Sequence, residues 1–165
     1  MARIATIGVY GFDRDSFLGA LAEAEVELVL DVRQRRGVRG SEYAWANAAR
    51  LQEALAGAGI GYSHLKELAP TTEMRQLQYR EDDRRGEGKR SRTVLAAEYA
   101  RLYKEQILDP LDLAPIVKWI GNSTAALLCV ERDPEACHRS LIAVRLRDEW
   151  GFEVRDLRPE STKKV

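Results

Sequence analysis

The chain has 165 residues, with 26 basic side chains, 26 acidic ones and a net charge of zero. No overall field selects a polyanion or a membrane surface, and any asymmetry of charge must be local. With 45% hydrophobic residues the chain can bury one sizeable core, so a single domain over 1–158 is expected, followed by a short polar tail at 159–165. The N-terminus lacks the apolar core of a signal peptide and no stretch approaches the roughly 18 apolar residues of a membrane span, so a cytoplasmic protein without membrane contact is expected. Cys129 and Cys137 form no Cys-x-x-Cys pair and read as free thiols in a reducing compartment.

The apolar, β-branched run 3–9 reads as a strand. Asp13 caps a helix to about Ala24, with Phe17, Leu18 and Leu21 inward. Residues 26–32 form the next strand, with Asp31 and Arg33 at its C-terminal end. A loop rich in glycine and arginine follows, carrying Arg35, Arg36 and Arg39. A helix over 45–58, with Asn47 near its start, precedes a third strand over 60–65 that holds His64 near its end. The stretch 67–92 is polar and interrupted by Pro70, Gly86 and Gly88. Its charged insert at about 70–92 is expected to be a lid or disordered, since it has too few apolar residues to pack. Helices over 93–107 and 113–120, a buried strand to Val130, a helix over 134–150 stopped by Gly151, and a last strand over 152–157 complete the chain.

Apolar strands alternating with helices predict an α/β fold, a three-layer α/β/α sandwich around a mainly parallel sheet of about five strands. In such a sheet ligands bind at the C-terminal edge. Gly8, Tyr10, Asp31, Arg33, His64, Cys129 and Glu131 all reach that edge. So does the helix that Asp133, Pro134 and Glu135 are expected to open. On a helical projection Cys137, His138, Leu141, Ile142, Val144 and Leu146 share the side facing the sheet, with Arg139 at its flank.

The sequence resembles the bacterial and archaeal family catalogued as domain of unknown function 488. The matching residues are Thr6-Ile7-Gly8, Asp31-Val32-Arg33, Tyr62 with His64, Leu127-Leu128-Cys129-Val130-Glu131, and Cys137-His138-Arg139-Ser140. The resemblance implies a compact α/β fold and no particular activity. Where the family often has His-Ser after Thr-Ile-Gly, this chain has Val9-Tyr10, so that histidine's role falls to Tyr10 or is lost.

The bland alternative for Cys137-His138-Arg139 is packing and pairing, because free cysteine is among the most buried residue types. The order strand, cysteine, loop, helix is similar to that of tyrosine phosphatases and rhodaneses. Those enzymes cradle an anion on backbone N–H groups, however, and here the loop carries Glu131, Asp133 and Glu135 and no glycine. His64, Cys129, Cys137 and His138 are suitable metal ligands whose spacing fits no zinc template. No metal is therefore expected. With no dinucleotide or phosphate-loop glycine motif, no cofactor is expected either.

Two functions remain. The first is an enzyme acting on a small anionic, phosphate-bearing or nucleotide-like substrate at the sheet edge. Cys137, His138, Glu131 and His64 are its candidate catalytic groups, and Arg139, Arg33, Asp31, Thr6, Tyr10 and Cys129 its candidate substrate contacts. The second is a non-catalytic nucleic-acid-binding protein using Arg35, Arg36, Arg39, Arg84, Arg85, Lys89 and Arg90, with Tyr10, Tyr43, Trp45 and Tyr79 stacking on bases.

Overall fold

A computed structural model describes residues 2–88 and 91–159; the expectations for Lys89, Arg90 and most of the polar tail lie outside the described residues. Five strands form one all-parallel sheet: β1 (Arg3–Gly8), β2 (Leu28–Asp31), β3 (Gly61–His64), β4 (Thr124–Cys129) and β5 (Glu153–Leu157). The spatial order is β3-β2-β4-β1-β5. Side chains alternate between faces, as the pleat requires. Ile4, Leu30, Ala125 and Leu127 enter one core; Ala5, Ile7, Val29, Ala126 and Leu128 enter the other.

Helices α1 (Arg14–Glu23) and α2 (Ala48–Gly57) cover the second core through Phe17, Leu21, Leu51 and Leu55. The first lies under α3 (Thr72–Arg85), α4 (Ala97–Tyr103), α5 (Ala114–Ile120) and α6 (Arg139–Trp150). Crossovers toward β3 thus run over one face and crossovers toward β5 over the other, as connections of a single hand demand. The three-layer α/β/α sandwich is the architecture the alternating pattern predicts. At the neighbouring pair β1 and β4 the chains depart in opposite directions, which makes their C-terminal ends the natural crevice.

Local signals place most boundaries. Asp13 builds a capping box with Ser16 at the start of α1, satisfying amides that the helix leaves unpaired. The expected helix over 45–58 divides into a 3-10 turn, Ser41–Ala46, and α2. Asn47 does not cap α2; its side chain accepts from Val38 N at 2.7 Å and holds the arginine loop. The expected helix over 93–107 divides likewise, into α4 and a π-helical turn, Lys104–Leu108.

Two expectations need correction. The insert at 70–92 is largely an ordered helix, α3, capped by Thr71 through Met74 N and ended by Gly86 in the left-handed conformation. Its inner face is Met74, Gln78 and Asp82, at helical spacing but mostly polar, so a search for apolar periodicity misses it. The helix expected over 134–150 is broken as well. Pro134–Ala136 is a separate 3-10 turn, Asp133 makes no side-chain cap, and Cys137 is extended (φ −143°, ψ 147°). Helix α6 begins only at Arg139. The break rotates the buried face to Arg139, Ile142, Ala143 and Leu146 and leaves Val144 exposed.

Candidate functional site

The loops after β1, β2 and β4 meet α3 at the C-terminal edge of the sheet. The first and third are clasped there, since Val9 N and Tyr10 N both donate to Val130 O at 3.0 Å. Between them lies a cleft of about 800 Å³ lined by Tyr10, Arg35, Arg39, Arg75, Tyr79 and Val130, with Gly37, Val38, Thr72, Gln76, Gly88 and Ser91. Beneath it is a recess of about 50 Å³ that shares Arg35, Arg75, Tyr79 and Val130 and ends at Arg33, Arg92, Cys129, Glu131 and His138. No carboxylate is among the described residues lining the wide cleft. Arg75 donates to the neutral acceptors Gln34 Oε1 and Tyr79 Oη, both at 2.8 Å. These bonds orient the cation without neutralising it.

Asp31 and Arg33 form a closed pair. Nε and Nη2 of Arg33 donate to the two carboxylate oxygens at 2.9 and 2.8 Å, and Nη1 donates to Ala46 O. Tyr62 Oη donates to Asp31 Oδ2 at 2.6 Å and accepts from Arg36. Burial, then the bond to Asp31, pushes the Tyr62 phenol up from its ordinary value. With both Asp31 and Arg33 under 2% exposed, this fork fixes the arginine loop to the sheet. His64 Nε2 is bonded to Arg33 O at 2.8 Å, and His64 lines neither space.

A second buried network ties α3 to the β4 loop. Arg92 donates through Nε and Nη2 to the Asp82 carboxylate at 2.7–3.0 Å and through Nη1 to Glu131 Oε2 at 3.0 Å. Gln78 donates to Asp82 Oδ1 and accepts from Ala96 N. Burial works against the Arg92 cation, but Asp82 and Glu131 outweigh it and hold the guanidinium charged.

Behind Glu131 lies a group of two thiols and an imidazole. His138 Nε2 is 2.8 Å from Val32 O; a carbonyl only accepts, so Nε2 carries the proton and Nδ1 presents its lone pair. Both Cys129 Sγ and Cys137 Sγ lie 3.7 Å from that Nδ1. Burial pushes the Cys129 thiol well above its usual range. Tyr103 packs its ring 5.3 Å from His138.

Arg139 is fully buried beneath this junction, where Nη1 and Nη2 donate to the carbonyls of Glu131 and Arg132 at 2.6 and 3.1 Å. Only Nε lacks a hydrogen-bond partner among the described residues. Arg139 therefore shapes the loop from below and does not line the recess. Cys137 is 1% exposed and does not line it either. Thr6 is buried in β1 and donates to Asp156 on β5 at 2.6 Å.

Of the residues expected at the site, Cys129, Glu131, His138, Arg33, Tyr10, Arg35 and Arg39 are thus brought together around one opening, and Cys137, Arg139, Asp31, His64 and Thr6 support it from behind or lie apart. Arg84 and Arg85 are taken up at the far end of α3 by Glu81, whose carboxyl they lower to about 2. Tyr79 was expected to stack on bases and the segment from Arg75 to Arg92 to close over the site, but Gln78 and Asp82 were not singled out by sequence, nor were Arg75 and Arg92 individually. Their signal was Thr71 ahead of Glu73 and Gly86 at the end, a start and a stop around polar residues spaced as on a helix.

Such a molecule is an α/β domain with an arginine-lined cleft over the C-terminal edge of a parallel sheet. The family model described as Domain of unknown function DUF488 matches residues 13–146, and the chain belongs to that family. No curated protein and no solved structure matches it.

Proposed function

We propose that the protein is an enzyme acting on a phosphate-bearing, nucleotide-like substrate at the cleft over the sheet edge. The observation that carries this reading is the lining of the cleft: Arg35, Arg39 and Arg75 with Tyr10 and Tyr79, and no described carboxylate. Such a surface attracts a polyanion and offers ring faces to a base. Arg75 presents its guanidinium from a half-buried position on neutral partners, which suits bidentate contact with phosphate. The recess then admits the reacting end of the substrate to Glu131 and His138. Glu131 is the acid–base candidate that lines it, and Arg92 orients that carboxylate.

Calorimetric titration with phosphate, pyrophosphate, adenosine monophosphate and adenosine diphosphate, followed by a turnover screen of the compounds that bind, tests this reading. Saturable binding weakened by Arg75→Ala, with turnover lost in Glu131→Gln, is the expected result. Failure of all four compounds to bind, or binding indifferent to Arg75→Ala, rejects it. A single-stranded oligonucleotide in the same series tests the alternative of nucleic-acid binding. Salt-dependent oligonucleotide binding without turnover of any bound compound would favour that alternative.

A further inference from the structure

The thiol–imidazole group behind the recess brings three metal-ligating atoms together in one buried place, all within 4.8 Å of one another. His138 has one lone pair to offer, at Nδ1, because Nε2–H is given to Val32 O. Two thiols stand at 3.7 Å from that one acceptor, and Cys129 also donates to Glu131 Oε1 at 3.4 Å. We propose that Cys129, Cys137 and His138 form a zinc-binding site at the base of the recess.

With Zn–S of about 2.3 Å and Zn–N of about 2.0–2.1 Å, a tetrahedral ion holds sulfur about 3.6 Å from nitrogen and the two sulfurs about 3.8 Å apart. Both sulfurs already lie 3.7 Å from Nδ1, and the three ligand atoms all fall within 4.8 Å of one another. Little movement is needed. The partners around the group also match those of a ligating histidine and thiolate. A carbonyl fixes the His138 tautomer from its far side, the arrangement that orients metal-bound imidazoles. Arg139 N, the first amide of α6, lies 3.5 Å from Cys137 Sγ and donates to it, so the sulfur has an outer partner of its own.

The charges balance without further groups. Binding releases both thiol protons to solvent, and a dication with two thiolates and a neutral imidazole carries no net charge, as a buried site prefers. Cys129 and His138 line the recess, so the fourth position is supplied from that side, by Glu131 or by water. Glu131 Oε1 already lies 3.4 Å from Cys129 Sγ. His64, on Arg33 O, stands outside the group. The ligand spacing conceals the site in sequence, because two ligands are adjacent and the third belongs to a strand.

The test uses the full chain, kept reduced, stripped with a chelator and titrated with Co²⁺. One equivalent is expected to bind with near-ultraviolet thiolate-to-cobalt charge transfer and the visible bands of tetrahedral cobalt, and Zn²⁺ is expected to bleach both by displacement. Cys137→Ser and His138→Gln should weaken cobalt binding by more than the roughly 10- to 100-fold that losing an outer partner costs. His64→Ala should leave the spectrum unchanged. Absence of the charge-transfer band in the wild-type chain overturns the site without recourse to any variant. So does a band that both ligand variants, folded by circular dichroism, retain at full strength. Because the readout is a metal spectrum, its failure leaves the substrate reading standing, and failure of substrate binding leaves the metal site standing.

Discussion

Arg92 reaches from the segment after α3 to Glu131 on the loop after β4 and donates to Oε2 at 3.0 Å, while its other edge holds Asp82. One guanidinium thus serves two buried carboxylates and joins the wall of the recess to its floor. Arg92→Met keeps the volume of the side chain and removes the charge, which leaves two desolvated acids facing each other. Breaking a buried pair in this way costs about 3–5 kcal/mol, so urea unfolding should show a loss of that size. Arg84→Met, at an exposed pair with Glu81, should leave the transition midpoint where it is. Equal midpoints for wild type and Arg92→Met would mean that the network contributes no stability.

Gly8 ends β1 where the β4 loop passes closest. A methyl there would sit 1.8 Å from Glu131 O, 2.7 Å from its carbonyl carbon and 3.1 Å from Arg139 Nη1. Two of the three obstacles are backbone, which cannot swing away. Gly8→Ala should therefore cost at least about 3 kcal/mol, the upper end of ordinary overpacking, and displace the Glu131 carboxylate. Gly19→Ala, within α1 and with nothing within 4 Å, should raise stability by up to about 1 kcal/mol. Thermal unfolding of the two variants, the same substitution with opposite signs, checks both.

The sheet and most helices were legible because their signals are local: apolar runs for β1, β2 and β4, Asp13 before α1, Gly151 after α6. The rim of the site was legible for the same reason, since residues at the ends of parallel strands share an edge whatever the strand order. Side-chain direction was not legible. Arg33 and Arg139 read as anion ligands by type, with a structural pair of Arg33 and Asp31 as the equal alternative, yet Arg33 donates to Asp31 and Ala46, and Arg139, through all but Nε, to the carbonyls of Glu131 and Arg132. Nor was α3, whose buried face is one apolar residue, Met74, with Gln78 and Asp82, because the two polar residues pack only once Arg92 arrives ten positions beyond Asp82.

Thr71 accepts from Met74 N and so begins α3. Thr71→Ala should cost about 1 kcal/mol, the usual value for a lost cap. Arg75 and Tyr79, within the first two turns, should lose order along with that end. The stability change belongs to urea titration; the second effect should appear as faster amide exchange confined to the start of α3. Unchanged exchange there would separate the cap from the cleft.

Arg75 is the cation best placed to meet a phosphate, held by Gln34 and by Tyr79, over whose ring its guanidinium carbon lies 5.6 Å from the centroid. A hydrogen bond to a charged group contributes about 1.5–3 kcal/mol, roughly ten- to a hundredfold in affinity. Arg75→Ala should weaken pyrophosphate binding within that range and flatten its dependence on salt, because one fewer counter-charge is involved. Arg75→Lys should recover part of the affinity, since it restores the charge and not the fork. Titrations at two salt concentrations read all three effects. If Arg84→Ala, at the opposite end of α3, weakened binding as much as Arg75→Ala, the interaction would be with the general charge of the helix and the cleft would lose its claim as the binding site.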